Sequence, residues 1–513
     1  MSLSPEILQI RSELELLLNK MEEAIENTKP LVGKLHKNQK ISARNLIRYL
    51  ALRSQDIRSL QDRLHIYGLS SLASSESHIR HQIQAILERL NKKFPRSEIS
   101  TCDNKTGQKL LLKKSAKLFG AKKSKAIPHL MVTFDAEFSE DYSLIKRLLE
   151  SGMNVARINC AHDNKEIWEN MIRLTRKACK ETDLPCKIYM DLAGPKMRIS
   201  ILGRGRLLEK VELREEQEIF LAERNASYNR TEIVLGCDEP NVIKQLLPGH
   251  RVLFDDGIIE SNVIAVENGI AKIKITRISG KKPVLKAHKG INFPDTKLTL
   301  PALTERDISL IPFICKNADL VGYSFVRDVS CVKALQEALA AHKKKPCIII
   351  KIETPEAVKN FPSLLIQGMH DEVFGVMIAR GDLAVEIGFE RLSEIQEEIL
   401  WISEAAHVPV IWATQVLETL NKSGIATRAE VTDASYAAMS ECVMLNKGDY
   451  IMEVMRSLRD ILERSGRHHI KKRYTFRPMQ IAKDFFETIN RKESGTPNSP
   501  PAPLFQRGVP LRD

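Results

Sequence analysis

From Pro128 onward the chain alternates short runs rich in β-branched and aliphatic residues with longer stretches of helical spacing, and it does so eight times. The runs are HLMVTF (129–134), NVARINC (154–160), CKIYMDL (186–192), ADLVGYSF (318–325), CIIIKIE (347–353), VFGVMIA (373–379), PVIWATQ (409–415) and CVMLNK (442–447). Near-continuous apolar strands separated by helices such as SLIKRLLESG and LSEIQEEILWISEAA imply a parallel sheet buried on both faces. Eight such units close on themselves, which predicts an α/β fold of the (β/α)8 TIM-barrel type. An open doubly wound sheet would have fewer strands and a Gly-rich first turn, and that turn is absent.

About 125 residues separate the third strand from the fourth, far beyond a crossover helix, so a domain is inserted there. Residues 199–290 alternate in polarity and break at glycines, as a small all-β lid domain would. The barrel is therefore expected over 128–198 and 291–465. Ahead of it, residues 4–28, about 42–65 and about 75–94 repeat apolar positions at three and four, which predicts a helical domain over 1–100. Residues 101–127 hold many lysines and read as a solvated basic linker whose deletion should leave catalysis nearly unchanged. The Pro- and Ser-rich end leads us to expect a largely disordered tail over 466–513.

Composition narrows the function classes. The net charge is +13, yet neither aromatic interleaving nor a nucleic-acid motif accompanies the basic segment, so no nucleic acid is expected as partner. No apolar run approaches the ~20 residues of a membrane span, and the acidic N-terminus lacks a targeting pattern. The expected address is the cytoplasm. Nine cysteines occur without paired spacing, which argues against zinc or a disulfide framework.

Chemistry in such a barrel sits at the C-terminal ends of the strands. Strand two ends with Arg157, Asn159 and His162; strand three with Asp191, followed by Lys196 and Arg198; strand five with Lys351 and Glu353. Strand six leads into Arg380, Gly381 and Asp382, and strand seven ends with Thr414 and Gln415. Glu353 and Asp382 supply two oxygen ligands of the kind that hold Mg2+ when substrate and water complete its octahedron. Lys351 and Arg157 add positive charge beside them, and free N–H groups at the helix after Gly381 suit an anion. Any one of these could be a surface ion pair or a loop-satisfying polar residue. Their recurrence at five strand ends points to a site for a small molecule bearing phosphate and carboxylate.

The segments MNVARINCAH, MDLAGPKMR, FDDG, HKGINFP, SFVR, IIIKIETPEAV, IARGDLAVE, WATQVLET and TRAEVTDAS, in that order, resemble motifs of the pyruvate kinase family over about residues 128–465. The resemblance implies a catalytic barrel with a mobile β lid that transfers the phosphoryl group of phosphoenolpyruvate to ADP, giving pyruvate and ATP in glycolysis. It assigns Lys351 to the enolate-like transition state and Glu353 and Asp382 to Mg2+ or Mn2+. Arg157, Lys351, Gly381, Asp382 and Thr414 would hold phosphoenolpyruvate or pyruvate. Asn159, His162, Arg198 and Lys289 would face the nucleotide phosphates of ADP or ATP. A homo-oligomer is implied as well.

Several positions depart from the family pattern. Ala161 and Leu192 stand where oxygen ligands of a monovalent cation are usual, and Lys196 stands where potassium-dependent members carry glutamate. An ammonium can take over that charge, so potassium should not be required. Asp135-Ala136 replaces a Gly-Pro, Asp163 replaces a glycine, and the loop after strand eight is shortened to Asn446-Lys447-Gly448-Asp449. A carboxylate at 135 could repel nucleotide phosphates. No counterpart of the family's C-terminal effector domain is recognised, so sugar-phosphate regulation through it is not expected. Two alternatives remain open: a phosphoenolpyruvate-binding regulatory protein with weakened nucleotide use, and a Mg2+-dependent lyase acting on a pyruvate enolate. A lid bearing Lys289 is of use to a kinase and redundant for the lyase.

Overall fold

The computed structural model describes residues 4–494 except 122–126, 196, 204–205, 224–231, 240, 280–283, 299, 302 and 466–478. Eight parallel strands form a closed barrel in chain order: His129–Phe134, Met153–Asn159, Lys187–Asp191, Leu320–Tyr323, Cys347–Ile352, Gly375–Ala379, Val410–Ala413 and Cys442–Leu445. The last pairs with the first, His129 opposite Cys442. These are the eight predicted runs, trimmed at their ends.

Side chains alternate along each strand between the lumen and the helical ring. Met131, Val155, Tyr189, Ile349, Met377, Ile411 and Met444 form the inner core. Their neighbours Val132, Ala156, Ile188, Ile350, Ile378, Trp412 and Val443 belong to the outer core against the helices. Continuing the inward series by two residues reaches Thr133, Arg157, Asp191 and Lys351, and two more on strand five reach Glu353. The polar side chains therefore share the C-terminal mouth of the lumen because of strand periodicity alone.

The insertion between strands three and four folds as an eight-stranded sheet, mostly antiparallel, with a two-stranded companion. It has its own core, which includes Ile201, Leu221, Phe254, Ile273 and Phe293. Its last strand, Ile291–Asn292, pairs with Leu253 and Phe254. The lid meets the barrel where Asn292 Nδ2 donates to Glu386 Oε1 at 2.7 Å.

The front of the chain forms α1 (Pro5–Gly33), α2 (Lys40–Arg53), α3 (Arg58–Ile66) and α4 (Ile79–Arg89). The expected helix over 42–65 is two helices. Asp56 breaks it, because its Oδ1 accepts from the backbone N–H of Arg58 at 3.2 Å and offers a local alternative to the helical bond.

The basic linker is corrected by the structure. Residues Asn104–Phe119 form a helix, α5, capped by Asp103, whose carboxylate accepts from Thr106 N at 2.7 Å. Its last residues, Leu118 and Phe119, join the inner core and close the N-terminal end of the barrel. Lys114 is buried and donates to Gln39 Oε1 at 2.6 Å and Ser42 Oγ at 2.9 Å. Lysines dominated the segment's composition and masked this apolar end. The tail is corrected in part: Gln480–Ser494 is a helix, with Ile481, Ala482 and Phe485 buried and Met479 N bonded to Arg53 O. Residues 466–478 and 495–513 lie outside the described residues. No helix among the described residues is long and apolar enough to cross a membrane.

Candidate active site

Lys351 is the hub of the barrel mouth. Its Nζ lies 2.9 Å from Glu353 Oε1, 3.4 Å from Asp191 Oδ2 and 2.6 Å from Ser324 Oγ. Arg157 grips the same Asp191 oxygen through Nε at 3.0 Å and Nη2 at 2.5 Å, while its Nη1 donates to Thr133 Oγ1 at 3.0 Å. Two cations thus share one carboxylate whose exposure is 1%. Gly322 makes this possible, since a Cβ there would stand 2.0 Å from the Tyr189 hydroxyl and 2.2 Å from Asp191 Oδ1.

The electrostatics follow from burial and pairing. Burial pushes the Asp191 carboxyl up, but the charges of Lys351 and Arg157 outweigh it and hold the group below its ordinary value. Burial lowers Lys351, and Asp191 and Glu353 more than restore it, so the ammonium is held charged. Glu353 is raised, chiefly by burial; Lys351 pulls it back and the charge of Asp382 adds to the rise. Its second oxygen accepts from Phe325 N at 2.6 Å, where the backbone turns through φ of +55°. Two carboxylates that repel across a mouth of oxygen donors are a fit for a hard divalent cation, which would relieve the repulsion. Glu353 and Asp382 are the residues available to hold one.

Strand seven contributes through its end. Thr414 and Gln415 both have positive φ, 65° and 56°. Arg380 holds that turn: Nε donates to Ala413 O at 3.0 Å, Nη2 to Thr414 O at 2.5 Å, and Nη1 pairs with Asp433. The guanidinium also stacks 4.5 Å over Trp412. In consequence Thr414 Oγ1 accepts from Gly381 N at 2.7 Å, which brings two of the predicted substrate residues together.

The nucleotide-side residues are more dispersed. Asn159 Oδ1 accepts from Ala161 N at 3.1 Å and so serves its own loop. Burial lowers His162, and the nearby charge of Arg198 lowers it further. Arg198 starts the lid, bridged to Gly290, with Nη1 donating to His288 O at 2.9 Å. Lys289 stays with the lid, 2.7 Å from Asp255 Oδ1 in the FDDG turn. Lys196 lies outside the described residues. Asp135, whose charge seemed adverse to phosphates, is countered by Lys447 at 3.2 Å from the shortened loop after strand eight.

Sequence reasoning gave no role to Ser324, Thr133 or Arg380, and named Asp191 without one. Ser324 directly follows strand four, the strand between three and five for which the sequence offered no candidate. Its hydroxyl donates to Leu192 O at 2.7 Å, which aims the oxygen at Lys351.

A family model of the pyruvate kinase barrel domain matches residues 125–454. The chain belongs to the pyruvate kinase family. It is 34% identical over 341 residues to a pyruvate kinase of Geobacillus stearothermophilus, an alignment covering 64% of this chain and 55% of that relative. To a pyruvate kinase of Staphylococcus aureus (strain USA300) it is 31% identical over 330 residues, covering 63% and 54%. The chain thus spans about half the length of the curated relatives it matches. A crystal structure of a pyruvate kinase from Cryptosporidium parvum superposes with a TM-score of 0.60 at 25% identity, covering 68% of this chain and 72% of that one.

Proposed function

We propose that the chain catalyses the pyruvate kinase reaction, moving the phosphoryl group of phosphoenolpyruvate to ADP in the cytoplasmic glycolytic direction. Mg2+ or Mn2+ is required in this reading and potassium is not. The observation that carries it is the buried ammonium of Lys351 standing between Asp191 and Glu353 with Arg157 beside them. As the bond between phosphorus and the enol oxygen breaks and a new one forms to the β-phosphate of ADP, negative charge develops on the enol oxygen. A fixed ammonium in a dry mouth opposes that charge at no reorganisation cost. The enolate then takes a proton at its terminal carbon to become pyruvate.

Arg157, oriented by Asp191 and Thr133, is placed to bind the phosphate or carboxylate of the substrate. Thr414, which accepts from Gly381 N, keeps its own O–H to donate to the substrate carboxylate. A divalent ion on Glu353 and Asp382, when bound, supplies positive charge beside the transferring oxygens. Arg198 and Lys289 on the lid side, with Asn159 and His162, are the candidates for the nucleotide phosphates. The family's usual assembly supports a homo-oligomer.

A coupled assay for pyruvate, run with Mg2+ and with or without potassium, tests the reading. Pyruvate should form in both cases. A strict potassium requirement would remove the role given to Lys196. Phosphoenolpyruvate binding without pyruvate from ADP or any other nucleoside diphosphate would favour the regulatory alternative.

A further inference from the structure

A second cavity, of about 460 Å3, opens in the helical front, walled by α1, α2, the first turn of α4 and the segment 97–102. Its lining holds five cationic side chains against two carboxylates. Its size suits a small metabolite.

Lys40, Arg44 and Arg48 follow one another at four-residue intervals on α2, so all three share a face. Like charges at this spacing repel. Among the described residues neither Lys40 nor Arg44 has a side-chain hydrogen bond or ion pair, and only Arg48 of the three is paired with an acid. Arg48 and Arg80 are held in place by a single acid. Arg48 donates Nε and Nη2 to Glu22 at 3.0 and 2.9 Å, and Arg80 donates Nε to the same carboxylate at 2.8 Å. The arrangement fixes both guanidinium planes and leaves Arg48 Nη1 and the terminal nitrogens of Arg80 without a partner among the described residues. Ile25, Val32 and Ile99 give the cavity an apolar side.

We propose that this cavity binds a small organic phosphate, with Lys40, Arg44, Arg48 and Arg80 receiving the anion and the apolar side taking the carbon skeleton. Oriented, partly buried guanidinium groups are the donors that match a phosphate's geometry. The cavity also reaches the barrel. Asn45, in its lining, donates to Ala405 O at 2.8 Å, and Cys102 Sγ lies 4.0 Å from His407 Nε2. His407 lies three residues before strand seven, whose end presents Thr414.

The full chain would be titrated calorimetrically, without Mg2+, with glycerol 3-phosphate, inorganic pyrophosphate and glycerol. The two phosphates should bind and glycerol should not. Arg44→Glu should weaken binding at least tenfold with an unchanged melting temperature, since the side chain is exposed and unpartnered. Arg198→Ala, at the nucleotide side of the catalytic mouth, should leave it within twofold. Failure of both phosphates to bind in an Arg44-dependent way, or loss with Arg198→Ala in place of Arg44→Glu, would overturn the proposal. The measurement needs no turnover, so it stands whether or not the proposed activity does.

Discussion

Lys351 Nζ and Glu353 Oε1 lie 2.9 Å apart, with side-chain exposures of 9% and 1%. The two residues are neighbours on the inward face of strand five, so each neutralises the other where water does not. Removing one partner of a buried pair usually costs about 3–5 kcal/mol. Here Arg157 still pairs Asp191, and Glu353 can take a proton. Lys351→Met is therefore expected to lower turnover by about 100- to 1,000-fold, as losing a preorganised donor does, with a melting temperature only a few degrees lower. Pyruvate release and thermal unfolding measured on the same preparation check this, and retained turnover would remove Lys351 from the chemistry.

Glu353→Gln separates charge from shape. Its amide oxygen can still accept from Phe325 N, so the turn at strand four should survive. In the proposed reading a divalent ion would lose one anionic ligand. The Mg2+ concentration for half-maximal activity is expected to rise more than tenfold, and chelation should abolish activity in the parent. A metal titration of both proteins decides it: equal midpoints would mean that Glu353 is no ligand.

Glu386 couples the lid to pH. Burial, the first cause, raises its carboxyl to about 7, with Glu356 and Asp382 adding to the rise, against ~4.3 for a free side chain. Between those values the folded chain keeps a proton that the unfolded chain has released. Its contribution is thus greatest below the unfolded value and is lost as pH rises through 7. Glu386→Gln should flatten the part of the stability profile that falls between about pH 4.5 and 7, and it should be more stable than the parent at pH 8. Urea midpoints of both proteins across that range give the comparison, and parallel profiles would refute it.

The barrel was legible because its signals are local. Each strand is a short aliphatic run, and a period of two carries Val155 to Arg157 and Ile349 to Lys351 on the same inward face. The convergence of Lys351 with Glu353 follows from that period within a single strand. The role of Asp191 does not, because it depends on the missing side chain of Gly322 one strand away. Arg380 was equally hidden: its partners Ala413, Thr414 and Asp433 come from two later elements. The helical nature of 104–119 was obscured by its charge, since a buried lysine such as Lys114 is rare and composition offers no warning of one.

The closure of the barrel's lower end turns that last point into a test. Phe119 packs with Leu118 under Met131, Val155 and Ile349, and its ring lies 5.3 Å from that of His129. His129 in turn bonds Gly120 O at 2.9 Å, so the end of α5 is tied to strand one by packing and by hydrogen bond. Truncating a buried phenylalanine costs about 3–5 kcal/mol when the cavity left behind cannot collapse, and a barrel floor supported by eight strands has little freedom to do so. Phe119→Ala should therefore lower the urea midpoint markedly, while the distant catalytic mouth keeps its KM for phosphoenolpyruvate at temperatures where the variant is folded. Lys117→Ala, two residues away on the exposed side and paired at 2.5 Å with Glu372, should cost no more than about 1 kcal/mol. Equal effects of the two substitutions would return the segment to the status of a solvated linker.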